Sequence, residues 1–92
     1  MDTQQSRASA WKTADRRLDV SGSLCPVPVL KAKTALGAMH PGGILEVLAT
    51  DPLAEMDLAV MCEHLGHRLI AAENAEGRVR VQIQRAHSGR EE

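Results

Sequence analysis

The sequence predicts an α/β fold: a two-layer sandwich of order βαβαββ, with two helices covering one face of a four-stranded sheet. Three observations carry that expectation. Two short apolar runs are each followed by a proline-marked helix start. Each of the two helical stretches ends at a glycine-containing stop. The last third of the sequence holds two alternating runs separated by a polar, glycine-bearing turn.

The elements follow in order. Leu18-Asp19-Val20 reads as a short strand and Ser21-Gly22-Ser23 as its turn into a helix. Proline is tolerated in a first helical turn, where its missing N–H is not needed, so Cys25-Pro26-Val27-Pro28 marks the start. This helix is expected to reach Met39, before His40-Pro41-Gly42-Gly43, with Val29, Ala32, Ala35, Leu36 and Met39 facing the core. Ile44 to Thr50 is apolar enough for a central strand buried on both sides. Asp51-Pro52 then combines a preferred cap with a preferred first helical residue, and Gly66 supplies the stop. Ala54, Leu58, Met61, Cys62 and Leu65 form the apolar stripe of this second helix. Arg68 to Ala72 and Arg78 to Gln84 are expected as antiparallel strands, joined through residues 73–77. In the last strand Val79, Val81 and Ile83 share one face, and Arg78, Arg80, Gln82 and Gln84 share the other.

At 92 residues the chain fits one small domain over residues 17–85, with polar tails expected at 1–16 and 86–92. Its core must be aliphatic, because there is no Phe or Tyr and the one aromatic, Trp11, falls in the expected N-terminal tail. Acidic and basic residues balance within the domain and the formal net charge is -1, which argues against direct nucleic-acid binding. With no apolar run of spanning length and no signal-like segment at 1–16, no membrane role and a cytoplasmic location are expected. In a reducing compartment two cysteines are expected as free thiols.

Cys25 is the candidate catalytic residue. Read as the helix N-cap, it would face the positive end of the helix dipole, which favours thiolate or persulfide. Pro26 and Pro28 hold it there, and the Val27 N–H is the expected backbone partner of an anionic sulfur. A thiol pKa modestly below the reference of about 8.5 follows. Cys62 belongs to the core stripe and is expected to be inert. His64 and His67, with Cys62, fall at the end of the second helix, where no metal is expected. Asp51 is expected as a cap, and Asp57 as bonding locally or pairing with a base. Val27 and Leu30 fall on the face of the first helix opposite the core, beside Cys25. With Lys31 and Lys33 they form a candidate partner-docking patch.

Leu18-Asp19, Gly22, Cys25-Pro26-Val27-Pro28 with Val29-Leu30 and Lys33, Gly43, Asp51-Pro52, Asp57, Cys62 and Gly66-His67 together resemble the TusA/SirA family of small sulfur-carrier proteins. The resemblance spans about residues 17–85. It implies a mixed sheet of order 1-2-4-3, similar to the C-terminal domain of a bacterial translation initiation factor. It also implies sulfurtransferase activity without a cofactor, in which Cys25 accepts sulfane sulfur as a persulfide and relays it. Implied donors are a cysteine desulfurase or a rhodanese, and implied acceptors include DsrE-type relay proteins serving tRNA thiolation or sulfur oxidation. The apolar Val27 between the prolines differs from the acidic residue of some tRNA-thiolating members. A monomer is expected. The competing reading is a non-catalytic regulatory interaction module in which Cys25 serves only the helix start.

Overall fold

The computed structural model describes residues 11–86, and within them the chain forms the expected βαβαββ sandwich. Its elements are β1 (Arg16–Asp19), α1 (Val27–Gly37), β2 (Ile44–Ala49), α2 (Ala54–Leu65), β3 (Arg68–Ala75) and β4 (Arg78–Gln84). The sheet order is β1-β2-β4-β3, with β1 parallel to β2 and the other neighbours antiparallel. The expected tail residues 1–10 and 87–92 lie outside the described residues.

The core lies between the sheet and the two helices. Leu45, Val47, Val79, Val81 and Ile83 point into it from the central strands, and Ala32, Ala35, Leu36, Leu58, Met61 and Cys62 meet them from the helices. Pro28 is buried with this set, whereas Leu65, expected in the core stripe, is exposed. Leu65 is the last residue of α2.

Several boundaries differ from the sequence expectation. β1 starts two residues earlier because Arg16 and Arg17 pair with Leu45 and Glu46, a pairing their charged side chains disguise. α1 ends at Gly37, and the N–H groups of Ala38 and Met39 donate to Ala35 and Leu36 carbonyls at 3.1 Å, tightening the last turn. α2 begins at Ala54, since Asp51, Pro52 and Leu53 form a turn before it; Gly66 closes it in the left-handed conformation, as expected. β3 runs to Ala75, with Glu73, Asn74 and Ala75 paired to Arg80, Val79 and Arg78. The loop expected at 73–77 shrinks to Glu76-Gly77, both at positive φ, the requirement of a two-residue hairpin turn. Polar residues are tolerated there because β3 is an edge strand with its far half exposed.

The sheet face away from the helices is not bare. Lys12 donates its N–H to Gln82 Oε1 at 2.8 Å and accepts from Gln82 Nε2 at 2.7 Å. Trp11 lies against Arg80, whose guanidinium carbon is 4.2 Å from the ring centre. Asp15 is bonded to Ile44 through both its backbone N–H and its carboxylate. Residues 11–15, expected in the N-terminal tail, are therefore tied to the sheet, and they help explain why β2 is buried on both sides.

Candidate functional site

The topology brings the site together. Because β1 and β2 are parallel and each is followed by a helix, both helices start at the same end of the sheet. The two helix-opening loops are stitched side by side there. Gly22 N–H donates to Thr50 Oγ1 at 2.8 Å, and Cys25 N–H donates to Asp51 Oδ2 at 2.7 Å. Asp51 is 4% exposed and its other oxygen accepts from Leu53 N–H at 3.1 Å, so one carboxylate holds both loops. Asp51 thus fixes the turn and the cysteine loop rather than capping α2, which has no side-chain cap.

Cys25 is exposed, but it is not the cap of α1. That position is taken by Pro26, after a cis Cys25-Pro26 peptide, and Pro28 occupies the first turn. The Val27 N–H, expected to face the sulfur, donates instead to the Leu24 carbonyl at 2.9 Å. The two prolines offer no N–H, so the first turn has no donor left to aim at the thiol from these positions. Carboxylates surround it instead. The ligand atoms of Cys25, Asp51 and Asp57 all lie within 4.8 Å of one another. Hydrogen bonding to Asp57 is the largest cause that pushes the Cys25 pKa up; slight desolvation and the charges of Asp57 and Asp51 act in the same direction. The expected depression of the thiol pKa is therefore reversed. Asp57, expected to bond locally or to pair with a base, has no basic partner among the described residues. Its Oδ2 is buried without a hydrogen-bond partner.

A groove of about 410 Å³ runs from this cluster between α1 and α2, lined by Cys25, Pro26, Leu30, Lys33, Asp57, Val60, His64 and Leu65 among others. Leu30 is 55% exposed and Val27 is 36% exposed. Lys33 lies on the groove, while Lys31 lies on the other flank of α1 with Arg16, Leu18 and Thr34. Sequence reasoning missed the α2 side of this surface: Leu53, Met56 and Val60 are exposed and recur at helical spacing beside the core stripe. That second stripe was present in the sequence as a signal.

The other candidates stay apart. Cys62 is buried, and burial raises its thiol to about 11. His67, just after α2, accepts the Ala86 N–H on its Nδ1 at 2.9 Å. Burial, with the Arg85 charge, lowers its pKa. The described residues contain no helix long and apolar enough to cross a membrane.

Comparison with known proteins agrees with this geometry. The family described as Sulfurtransferase TusA matches residues 16–85. The sulfur carrier protein TusA of Allochromatium vinosum is 36% identical over 72 residues, covering 78% of this chain and 95% of its own. The protein of the same name from Pseudomonas syringae is 40% identical over 65 residues, covering 71% of this chain and 77% of that protein. Among solved structures, a SirA-like protein from Desulfitobacterium hafniense superposes with a TM-score of 0.68 at 29% identity, covering 77% of this chain and 97% of that one. The shared fold, the matched span and the level of identity establish that this chain belongs to the TusA family.

Proposed function

We propose that this protein is a sulfur carrier that takes sulfane sulfur onto Cys25 as a persulfide and relays it to an acceptor protein in the cytoplasm. The observation that carries the reading is the contrast in access: Cys25 stands exposed at the end of an apolar-walled groove, and the second thiol is buried. Loading moves one sulfur atom with no net redox change. The Cys25 sulfur attacks the outer sulfur of a donor persulfide; a new S–S bond forms, the donor S–S bond breaks, and the donor leaves as a thiolate that takes up the Cys25 proton. Delivery is the same exchange with an acceptor thiol as nucleophile and Cys25 as leaving group. A cysteine desulfurase or a rhodanese suits the donor role, and a DsrE-like relay protein serving tRNA thiolation or sulfur oxidation suits the acceptor role. Leu30 and Lys33 line the groove that ends at Cys25, and with the exposed Val27 they form part of the face a partner would cover.

The test is mass spectrometry after incubation with a cysteine desulfurase and cysteine. The wild type and Cys62→Ala should gain sulfur, and Cys25→Ser should gain none. Failure of the wild type to load from desulfurase or rhodanese would favour the interaction-module reading.

A further inference from the structure

Two features at the mouth of the groove are incomplete in the chain alone. The first is the apolar rim. Leu30 from α1 and Val60 from α2 line the groove and are exposed, and Leu24, Val27, Leu53 and Met56 are exposed at or near the starts of the same two helices. Large apolar side chains gathered around a reactive sulfur mark a surface that is covered during function. The second is Asp57. Its buried Oδ2 has no donor, although buried polar atoms are almost always paired. Another carboxylate, Asp51, and the thiol itself lie within 4.8 Å, and no salt bridge reaches Asp57 among the described residues. The cationic or imidazole side chains of the groove, Lys33 and His64, lie roughly 10 Å further along their helices, judged from a rise of about 1.5 Å per residue. The groove is therefore anionic at the sulfur and basic at its far end.

We propose that the sulfur-exchanging partner covers this rim and places a cationic side chain, next to its own reactive sulfur, against Asp57. The proposal rests on the carrier reading above and adds the chemistry of the partner. Before docking, the carboxylates of Asp57 and Asp51 beside Cys25 disfavour its thiolate and so its attack. A guanidinium or ammonium against Asp57 supplies the missing donor, neutralises that carboxylate and lifts its penalty on the thiolate. Sulfur exchange is thereby tied to a partner of the right charge, and stray disulfides or electrophiles meet a less reactive thiol.

The probe is a pair of short persulfidated peptides, each with one cysteine flanked by leucines and differing only in an Arg or a Glu beside that cysteine. Sulfur uptake by the full chain is followed by mass spectrometry at low salt. The Arg peptide should load Cys25 about tenfold faster than the Glu peptide, the lower range of electrostatic steering. Raising the salt should shrink that ratio in the wild type, a readout that needs no variant. In Asp57→Asn the ratio should collapse toward one, while alkylation of Cys25 by neutral iodoacetamide becomes faster than in the wild type. Equal loading from both peptides overturns the charge assignment and leaves the carrier reading intact. A preference that survives in Asp57→Asn places the recognition elsewhere and also overturns it. Loading from neither peptide while a cysteine desulfurase still loads Cys25 overturns the proposal alone, and loading from none of the three removes the carrier reading with it. Light scattering in the same buffer gives the last arm: a stable dimer would assign the rim to a second copy of the chain.

Discussion

Glu46 is buried on one side of the sheet and Asp57 is half-buried on the other with one oxygen out of contact with water, and their surroundings treat them in opposite ways. Glu46 is 4% exposed on the face away from the helices. Gln82 Nε2 donates to it at 2.9 Å, Arg80 Nε approaches at 3.2 Å, and Arg17 lies 3.6 Å away. Burial alone would raise its pKa, but these hydrogen bonds and charges outweigh burial and hold it low. Asp57 has a buried oxygen with nothing to accept from. The difference separates a carboxylate used to assemble the fold from one left available at the reactive thiol.

The comparison can be broken most directly by substitution. Glu46→Ala leaves the Gln82 amide short of one acceptor and removes the partner of two guanidiniums. Those guanidiniums are well solvated, so the cost should be about 2 kcal/mol, read as a lower chemical midpoint with the Cys25 alkylation rate unchanged. Asp57→Asn should do the reverse, changing stability by less than about 1 kcal/mol while altering the thiol. Similar losses from both would erase the distinction.

Acid sharpens it further. Glu46 has a folded pKa below its ordinary 4.5, so its contribution is fully present above that value and is lost as pH falls through the folded pKa. Melting temperature against pH should therefore drop more steeply below about pH 4.5 in the wild type than in Glu46→Gln. Parallel curves would mean that the network does not couple to folding.

The smallest effect on the fold belongs to the rim. Leu30 is 55% exposed, so Leu30→Ala should change stability by about 0.5 kcal/mol or less, against about 2 to 5 kcal/mol for a buried leucine such as Leu36. Transfer of sulfur to an acceptor protein should nevertheless slow. A large drop in melting temperature would return Leu30 to the core and remove it from the docking face.

The architecture was legible because strong local signals agreed: Asp51-Pro52, Gly66 and the alternation of Val79, Val81 and Ile83 each mark an element that the structure contains. Element ends were less legible where polarity misled, as at Arg16-Arg17 and Glu73-Asn74-Ala75, since backbone pairing is indifferent to charge at a sheet edge. Cys25 stood out, yet its environment did not. The motif shows which N–H groups the prolines remove, but not that the Leu24 carbonyl takes the Val27 N–H. The approach of Asp51 and Asp57 to Cys25 follows from two parallel strands delivering two loops to one place, a contact across 26 positions for Asp51 that local reading does not supply. Trp11 and Lys12 were hidden for the same reason, since their partners Arg80 and Gln82 lie at the far end of the sequence.

The parallel pairing of β1 and β2 has one more consequence. Arg85, where the chain leaves the sheet, is bonded to Gly42 and Gly43 just before β2, whereas Cys25 is held beyond the other end of that strand. Six residues of strand, about 20 Å, separate the two. The domain is built like a hand on a wrist: a tether or fused neighbour attached after Arg85 would pull from behind, leaving the Cys25 end facing away from it.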